Sequence, residues 1–254
     1  EDCTLTEEER EIIKKNKREL ISLIRKEQYK SKIQDIYNLT PLQEGLLFHA
    51  LYAPGSDQYC TQTKWEYEGK FRIDAFKKAW HRIIKQHAVF RTRFVWEGLE
   101  RPVQVVQEEI DIPWHEEDWR NIPAQQQREE LEEYLRLDRL GGFNLSNPCL
   151  MRLHLIRVEE ERFIFIWTHH HILLDGWCLP ILFRELNESY RIIISNKDVV
   201  LTKTPLYSGY IKWLETQDKD EARKYWKEAL KGIEAPTSLG INKGVLEVHN
   251  PIRE

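Results

Sequence analysis

Three consecutive histidines, His169, His170 and His171, are followed by Asp175 and Gly176. They come directly after an apolar run and before a helical pattern, so they lie where a strand ends and a helix begins. Catalytic groups are common at such strand ends, because the rigid strand fixes a side chain while the loop leaves it accessible. Histidine, with an ordinary pKa of ~6.5, accepts a proton from a nucleophile near neutral pH. The segment therefore predicts a site for proton transfer or hydrogen bonding.

Side-chain alternation along a strand decides which histidine can face a cavity. His169 and His171 are expected on one side of the strand and His170 on the other. Burial with a hydrogen bond is the competing interpretation for His170 and also for His169. Asp175 is expected to hold the loop rather than to touch a substrate. Gly176 allows a close backbone approach or a dihedral angle that other residues avoid.

A metal site is the alternative use of histidine and aspartate side chains. It needs further ligands at suitable spacing, and the sequence has neither an HExxH motif nor a cysteine–histidine pattern. The four cysteines, Cys3, Cys60, Cys149 and Cys178, are far apart, which favours free thiols of a cytosolic protein over disulfides. We therefore predict no metal site.

The composition indicates a folded and soluble chain. Of its 254 residues, 41% are hydrophobic, including nine tryptophans, ten tyrosines and nine phenylalanines. A net charge of −4 excludes the basic excess typical of nucleic-acid-binding proteins. There is no signal-peptide pattern, and the longest apolar run, residues 163–167, is far too short to span a bilayer. We expect a cytoplasmic protein that binds neither nucleic acid nor a membrane.

Helical and strand patterns alternate along the chain. Thr40, Pro41 and Gln43 predict a helix start with a capping box, and Asp74 is expected to cap the next helix. Strands are predicted at 59–67, 89–96, 102–107, 150–158 and 162–169, the last two forming a hairpin, and further helices at 4–27, 123–137, 206–217, 219–231 and after residue 176. The apolar run before the histidines lacks alternation, which predicts burial on both faces. The fold class is α/β, or α+β with a mixed sheet.

Residues 170–176 fit the HHxxxDG signature of condensation domains of nonribosomal peptide synthetases, and the chain resembles that family. Supporting segments occur in the family's order at residues 39–49, 87–94, 143–145, 207–213, 225–226 and 235–237. The resemblance covers about residues 33–240. The second motif departs from the family's pattern at Gln86, Ala88 and Phe90, and Asn144 replaces the aspartate of an FDL segment.

The resemblance implies a fold like that of chloramphenicol acetyltransferase, with two similar lobes and the active site in a tunnel between them. Residues 33–200 are then the first lobe, an α+β sandwich with a mixed sheet and flanking helices. Residues 1–32 are expected to form a linker helix from an upstream domain, and residues 201–254 the inter-lobe segment and the start of the second lobe. The fragment alone is expected to be inactive, because half of the tunnel is missing.

The activity that the resemblance implies is acyl transfer that forms a peptide bond. The α-amine of an acceptor attacks the thioester of a donor, and phosphopantetheine arms of carrier domains deliver both. His171 is expected to face the reaction centre, as a general base or as a group that orients the amine and stabilises the intermediate. His170, Asp175 and Gly176 complete the catalytic segment. Asp175 is expected to pair with Arg91, or with an arginine of the missing lobe, and a solvated strand position is the alternative for Arg91.

The implied partners are donor and acceptor peptidyl carrier domains and adjacent adenylation or epimerization domains of the same synthetase. No bound cofactor is expected, because the pantetheine arrives on a carrier. The opening motif, residues 39–49, resembles the subtype that joins a D-configured donor to an L-configured acceptor. Two alternatives stay open: an epimerization domain, which shares the HHxxxDG segment, and a catalytically silent platform that docks carrier or tailoring proteins.

Overall fold

The computed structural model describes residues 33–53, 57–195 and 205–233, together with Ala235. In chain order its elements are β1 (Ile33–Asn38), α1 (Pro41–Tyr52), β2 (Cys60–Glu68), α2 (Ile73–Gln86), β3 (Thr92–Val95), β4 (Val103–Gln107), β5 (Trp114–Asp118), α3 (Ala124–Leu140), β6 (Met151–Glu159), β7 (Arg162–His170), α4 (Cys178–Ile194), α5 (Tyr207–Glu215) and α6 (Lys219–Ala229). The described residues up to Leu214 belong to one compact unit, and α6 belongs to a second unit. The helix predicted at 4–27 lies outside the described residues.

The described part of the first unit contains two sheets. The larger sheet has the strand order β2-β7-β6-β5, in which β2, β7 and β6 pair antiparallel and β5 runs parallel to β6. The smaller sheet, in the order β1-β4-β3, is antiparallel. The hairpin between β6 and β7 closes where Glu159 pairs with Arg162. The predicted hairpin and the predicted mixed sheet are both confirmed.

The central strand β7 is buried because both of its faces are covered. On one face, the ring of Phe165 packs edge-on against Phe76 of α2, with ring centroids 4.9 Å apart, and Leu186 of α4 belongs to the same cluster. On the other face, Ile166 packs in a cluster with Leu131 of α3. The run of apolar residues lacks alternation because successive side chains all find apolar partners. The predicted burial of this strand on both faces is confirmed.

The start of α1 is set by local hydrogen bonds. The Gln43 N–H donates to Thr40 Oγ1 at 3.2 Å, and the Thr40 N–H donates to Gln43 Oε1 at 3.0 Å. Pro41 occupies the first helical turn, where its missing N–H would have no partner within the helix. The predicted capping box is confirmed.

Two local predictions are wrong. Asp74 does not cap α2, because the Phe76 N–H donates to the carbonyl of Arg72 at 3.0 Å and Asp74 already lies within the first turn. The strand predicted from residue 89 begins only at Thr92, because residues Ala88–Arg91 form a 3₁₀ turn that leads the chain from α2 into the sheet.

The sequence patterns predict neither β1 nor β5. Both are short strands at the edge of a sheet, and four of the five residues of β5 are exposed. Such a strand is defined by the neighbour with which it pairs more than by its own alternation. Its position therefore depends on the tertiary structure.

The remaining sequence expectations concern thiols and membrane spans. Cys60, Cys149 and Cys178 are free, as expected, whereas Cys3 lies outside the described residues. Within the described ranges, no helix combines the length and the apolarity that a membrane crossing requires.

Candidate active site at the end of strand β7

The three histidines lie where β7 ends and the chain turns towards α4. The His170 N–H donates to the carbonyl of Leu150 at 3.0 Å, and the His171 N–H donates to the carbonyl of Tyr59 at 2.7 Å. The residues just before both neighbouring strands, β6 and β2, therefore hold this end of β7. Of the three rings, those of His169 and His170 are buried, whereas that of His171 is exposed.

His169 has a structural environment. Its ring stacks on that of Trp167, with centroids 4.1 Å apart and planes 19° apart. Burial, with a smaller contribution from the charges of His171 and His170, lowers the pKa of His169 to about 3. Its Nδ1 has no hydrogen-bond partner among the described residues. His169 is therefore neutral at cellular pH and packs as part of the core.

His170 is also neutral, and it holds the turn that follows it. Its Nδ1 accepts the backbone N–H of Ile172 at 3.1 Å. Burial, and then the nearby charge of His171, lowers the pKa of His170 to about 4. Because Nδ1 is an acceptor in the neutral ring, the proton lies on Nε2.

His171 is the accessible histidine of the three. Alternation on an uninterrupted strand would group it with His169, but β7 ends at His170 and the chain turns at His171. One ring therefore stays in the core and the other reaches solvent. The structure thus separates an exposed imidazole from a buried one that supports its loop.

Asp175 accepts hydrogen bonds from the backbone that leads into α4. Its Oδ1 accepts the backbone N–H of Trp177 at 2.9 Å and that of Cys178 at 3.3 Å, and the Cys178 thiol donates to the same oxygen at 3.4 Å. The first N–H groups of a helix have no partner within the helix, and a carboxylate satisfies them well. Asp175 connects the turn that carries His171 to the rigid helix that follows.

The expected pairing of Asp175 with Arg91 is wrong. The Arg91 guanidinium is buried and donates to backbone carbonyls at the ends of α2 and β4, among them Ile84 at 2.9 Å and Gln107, and to Gln34 Oε1 at 2.7 Å. Asp175 bonds the backbone of its own turn, whereas Arg91 bonds residues of α2, β1 and β4. The alternative of a solvated strand arginine is wrong as well, because Arg91 is buried in a 3₁₀ turn.

Gly176 does not have the unusual backbone conformation that glycine permits. Its φ angle is not among the positive ones, and a Cβ added there would meet no heavy atom within 4 Å. The expectation of a dihedral angle closed to other residues is therefore wrong. The observed feature of Gly176 is the open space in front of its backbone.

Sequence reasoning missed Tyr59, which precedes β2. It is the non-glycine residue with positive φ among the described residues, at 66°, and its carbonyl is the acceptor for the His171 N–H. Its ring is near those of His49 and His170, at centroid distances of 6.0 and 6.3 Å. Tyrosine has no preference for the left-handed region, so the sequence carries no signal for this conformation.

A polar cluster beneath α3 was also missed. Asp138 accepts hydrogen bonds from Arg152 Nε at 2.6 Å, from Gln62 Nε2 at 2.7 Å and from the Thr168 hydroxyl at 2.5 Å. The Arg152 guanidinium also lies 4.1 Å from the ring centroid of Phe143. This cluster joins α3 to three strands of the sheet that carries the histidine segment.

Asn144, which stands where the family has an aspartate, closes a local turn. Its Oδ1 accepts the Ser146 N–H at 3.0 Å and the Ser146 hydroxyl at 2.7 Å.

Among the residues that the structure describes, no group of three or more histidine, cysteine, aspartate or glutamate side chains is arranged to hold a metal ion.

Comparison with known proteins identifies the class of protein to which this chain belongs, a domain found in peptide synthetases. The family model of the condensation domain matches residues 33–244. Bacitracin synthase 3 of Bacillus licheniformis is 41% identical over 214 residues, which are 84% of this chain and 3% of that protein. Surfactin synthase subunit 3 of Bacillus subtilis (strain 168) is 37% identical over 210 residues, 83% of this chain and 16% of that protein. The chain belongs to the condensation-domain family, as its sequence motifs predict.

Solved structures agree on the fold. A variant of the starter condensation domain of rhizomide synthetase superposes with a TM-score of 0.71 at 16% identity, covering 80% of this chain and 50% of that one. The first condensation domain of the calcium-dependent antibiotic synthetase, in complex with a substrate analogue, gives a TM-score of 0.68 at 18% identity, covering 82% of this chain and 50% of that one. The chloramphenicol acetyltransferase-like fold class expected from the sequence is confirmed. The chain spans about half the length of these domains and a small part of each synthetase named above.

Proposed function

We propose that this chain supplies His171 to peptide-bond formation between aminoacyl or peptidyl thioesters on carrier domains. The observation that carries the proposal is the division of roles within residues 170–176. His170 is buried and neutral with its Nδ1 occupied, whereas the His171 ring is exposed at the end of a rigid strand. Family membership supports the same assignment, because the segment matches the HHxxxDG signature.

In the proposed reaction, the acceptor's α-amine attacks the donor's thioester carbonyl. A C–N bond forms, the C–S bond breaks, and the lengthened peptide remains on the acceptor arm. The proton lost by the amine passes to the His171 imidazole and then to the leaving thiolate. General base catalysis of this kind contributes typically ~10²–10⁴-fold in rate. An α-amine has an ordinary pKa of ~8, so part of it is already neutral, and we propose that His171 positions the amine as well as accepting its proton.

The other residues of the segment support His171 in this proposal. His170 and Asp175 hold the two ends of the turn through the backbone N–H groups of Ile172 and Trp177. Gly176 leaves open space beside the reacting groups, where a side chain would obstruct the substrate. We assign no cofactor to the chain itself, because the phosphopantetheine arm arrives with each carrier domain.

We propose residues 33–200 as the first lobe of the condensation domain and residues 201–254 as the connection to the second lobe. Its partners are then a donor and an acceptor carrier domain, and adjacent adenylation or epimerization domains of a cytoplasmic synthetase. The subtype that takes a D-configured donor remains part of the proposal, on the basis of residues 39–49.

The test uses a complete synthetase module that contains this chain, with donor and acceptor carriers loaded with aminoacyl groups. Mass spectrometry measures dipeptide formation with D- and L-configured donors. We expect coupling with the D-donor, and a loss of at least ~10²-fold in His171→Ala. His81→Ala, the same substitution at an exposed histidine of α2, is the matched control.

Each alternative gives a distinct result in that assay. Inversion of a stereocentre without coupling identifies an epimerization domain. Carrier binding without either reaction identifies a docking platform. Full activity of His171→Ala would remove the proposed role of this residue.

A further inference from the structure

Two glutamines form a buried amide pair between α1 and the smaller sheet. Gln43 of α1 and Gln104 of β4 are 4% and 0% exposed. Gln43 Nε2 donates to Gln104 Oε1 at 3.2 Å, and Gln104 Nε2 donates to Gln43 Oε1 at 2.7 Å. The second N–H of Gln104 donates to the carbonyl of Asn38, the last residue of β1, at 2.9 Å. The pair therefore ties α1 to β1 and β4.

Gln43 extends this connection to the turn that carries His171. Its second N–H donates to the carbonyl of Ile172 at 3.3 Å, and Ile172 directly follows His171. The Ile172 N–H is in turn held by His170 Nδ1. Both polar groups of the residue after His171 thus have protein partners, and the Ile172 side chain is itself buried.

The amide of Gln43 uses its full hydrogen-bonding capacity. Its two N–H groups donate to Gln104 and Ile172, and its oxygen accepts from Gln104 and from the Thr40 backbone. A flipped amide would place N–H groups against the N–H donors of Thr40 and Gln104, so one orientation alone satisfies the site. A capping box by itself needs only the oxygen, and glutamate serves there equally well. Of these two side chains, only glutamine has an N–H group that can donate to the Ile172 carbonyl.

We infer that Gln43 is a positioning residue for His171. Through the Gln43–Gln104 pair, it links the backbone of the turn that carries His171 to α1 and the smaller sheet. The inference rests on the proposed role of His171. A buried and fully satisfied amide restrains the Ile172 carbonyl, and with it the backbone from which the exposed imidazole projects. Loss of this restraint lets the ring sample orientations away from the reacting amine.

Gln43→Glu tests the inference, because glutamate keeps the acceptor of the capping box but places an oxygen against the Ile172 carbonyl. In the complete module, we expect kcat for peptide-bond formation to fall about 10- to 100-fold, with KM for both loaded carriers unchanged. In this chain, we expect hydrogen exchange at the Ile172 and Leu173 amides to accelerate about tenfold, without change in the β6–β7 hairpin. Gln125→Glu is the control, since Gln125 is exposed in the first turn of α3.

A wild-type measurement covers the case in which Gln43→Glu does not fold. The side-chain N–H₂ protons of Gln43 should exchange with solvent at least about tenfold more slowly than those of Gln125, as measured by NMR. Three results would each overturn the inference. They are equal exchange of the two side chains, a wild-type kcat in Gln43→Glu, and a uniform acceleration of exchange across the lobe. Failure of the proposed function looks different, because His171→Ala would then retain activity while these exchange differences persist.

Discussion

The buried ring of His170 accepts the backbone N–H of Ile172 on Nδ1, at a distance of 3.1 Å. Two adjacent histidines thereby take different positions, since the first closes the turn from inside and the second, His171, is exposed on it. The order of the two residues in the motif follows from this geometry. The ring on the strand bonds the backbone of the turn, whereas the ring on the turn is exposed.

This bond predicts different outcomes for two substitutions of His170. His170→Leu leaves the Ile172 N–H buried without an acceptor and should lower the free energy of unfolding by about 1–3 kcal/mol. His170→Asn places an amide oxygen near the position of Nδ1 and should retain more of the stability. Urea unfolding followed by circular dichroism measures both. Equal losses would show that the bond contributes nothing beyond the volume of the ring.

The buried histidines His169 and His170, together with the buried His154 of β6, make the fold sensitive to acid. Burial is the main cause that lowers the pKa of His169 to about 3 and that of His170 to about 4. Both pKa values lie below histidine's ordinary ~6.5. At a pH between the folded-state pKa and ~6.5, the unfolded chain therefore binds more protons than the folded chain. Stability thus falls as the pH drops from ~6.5 towards 4 and 3. Each pKa unit corresponds to ~1.4 kcal/mol.

His169→Phe isolates one of these contributions. Phenylalanine can keep the stacking on Trp167 without a titrating group, so stability should fall less steeply with acid than in the wild type. The free energy of unfolding, measured by urea titration at several pH values from 7 to about 4, gives the two profiles. Parallel profiles would contradict the assignment to His169.

Asp175 should act through backbone hydrogen bonds and not through an ion pair. Asp175→Ala removes the side-chain acceptor of the Trp177 N–H, while the Cys178 N–H keeps the Asp175 carbonyl at 3.1 Å, and should cost about 0.5–2 kcal/mol of stability. Asp175→Asn keeps an oxygen and should cost less. Neither difference should shrink much in high salt, measured by urea unfolding at low and high ionic strength. A strong salt effect with equal losses for both variants would indicate an ionic partner instead.

Asp138 should be important for the stability of the larger sheet. Its side chain is 5% exposed and pairs with Arg152, so Asp138→Asn weakens several charge-assisted hydrogen bonds and should cost about 2–4 kcal/mol. Glu133→Gln, in an exposed pair with Arg136 on the same helix, should cost less than about 0.5 kcal/mol. Thermal unfolding of both variants provides the comparison, and similar shifts would contradict the special role of the buried carboxylate.

Gly176→Ala separates folding from catalysis. The added methyl group meets no atom of this chain and the backbone needs no positive φ, so stability should change by less than about 0.5 kcal/mol. If this backbone borders the reacting thioesters, peptide-bond formation in the complete module should fall at least tenfold in the same variant. Wild-type coupling rates would show that the space in front of Gly176 is not used by the substrate.

Much of the secondary structure followed from the sequence because its causes are local. The capping box of Thr40 and Gln43 needs only residues three apart. The alternation of β2 and the unbroken apolar run of β7 report whether one or both faces are covered. The family itself could be named from short motifs whose residue types and order are specific, and the family comparison confirms it.

The contacts between segments that are distant in the sequence could not be predicted from local patterns. Arg91 bonds backbone carbonyls rather than Asp175, and Gln43 reaches Ile172, because α1, α2 and β4 meet only in the folded chain. The edge strands β1 and β5 likewise take their conformation from their neighbours.

The sequence alone therefore determined which residues occur at the end of β7, and the local order of strand, turn and helix around them. Only the tertiary structure decided that the His170 ring is enclosed and the His171 ring is exposed, since this depends on where β7 stops beside Tyr59 and Leu150. The physical reason is that a side chain's accessibility is set by what packs around it, and that packing comes from residues far away along the chain.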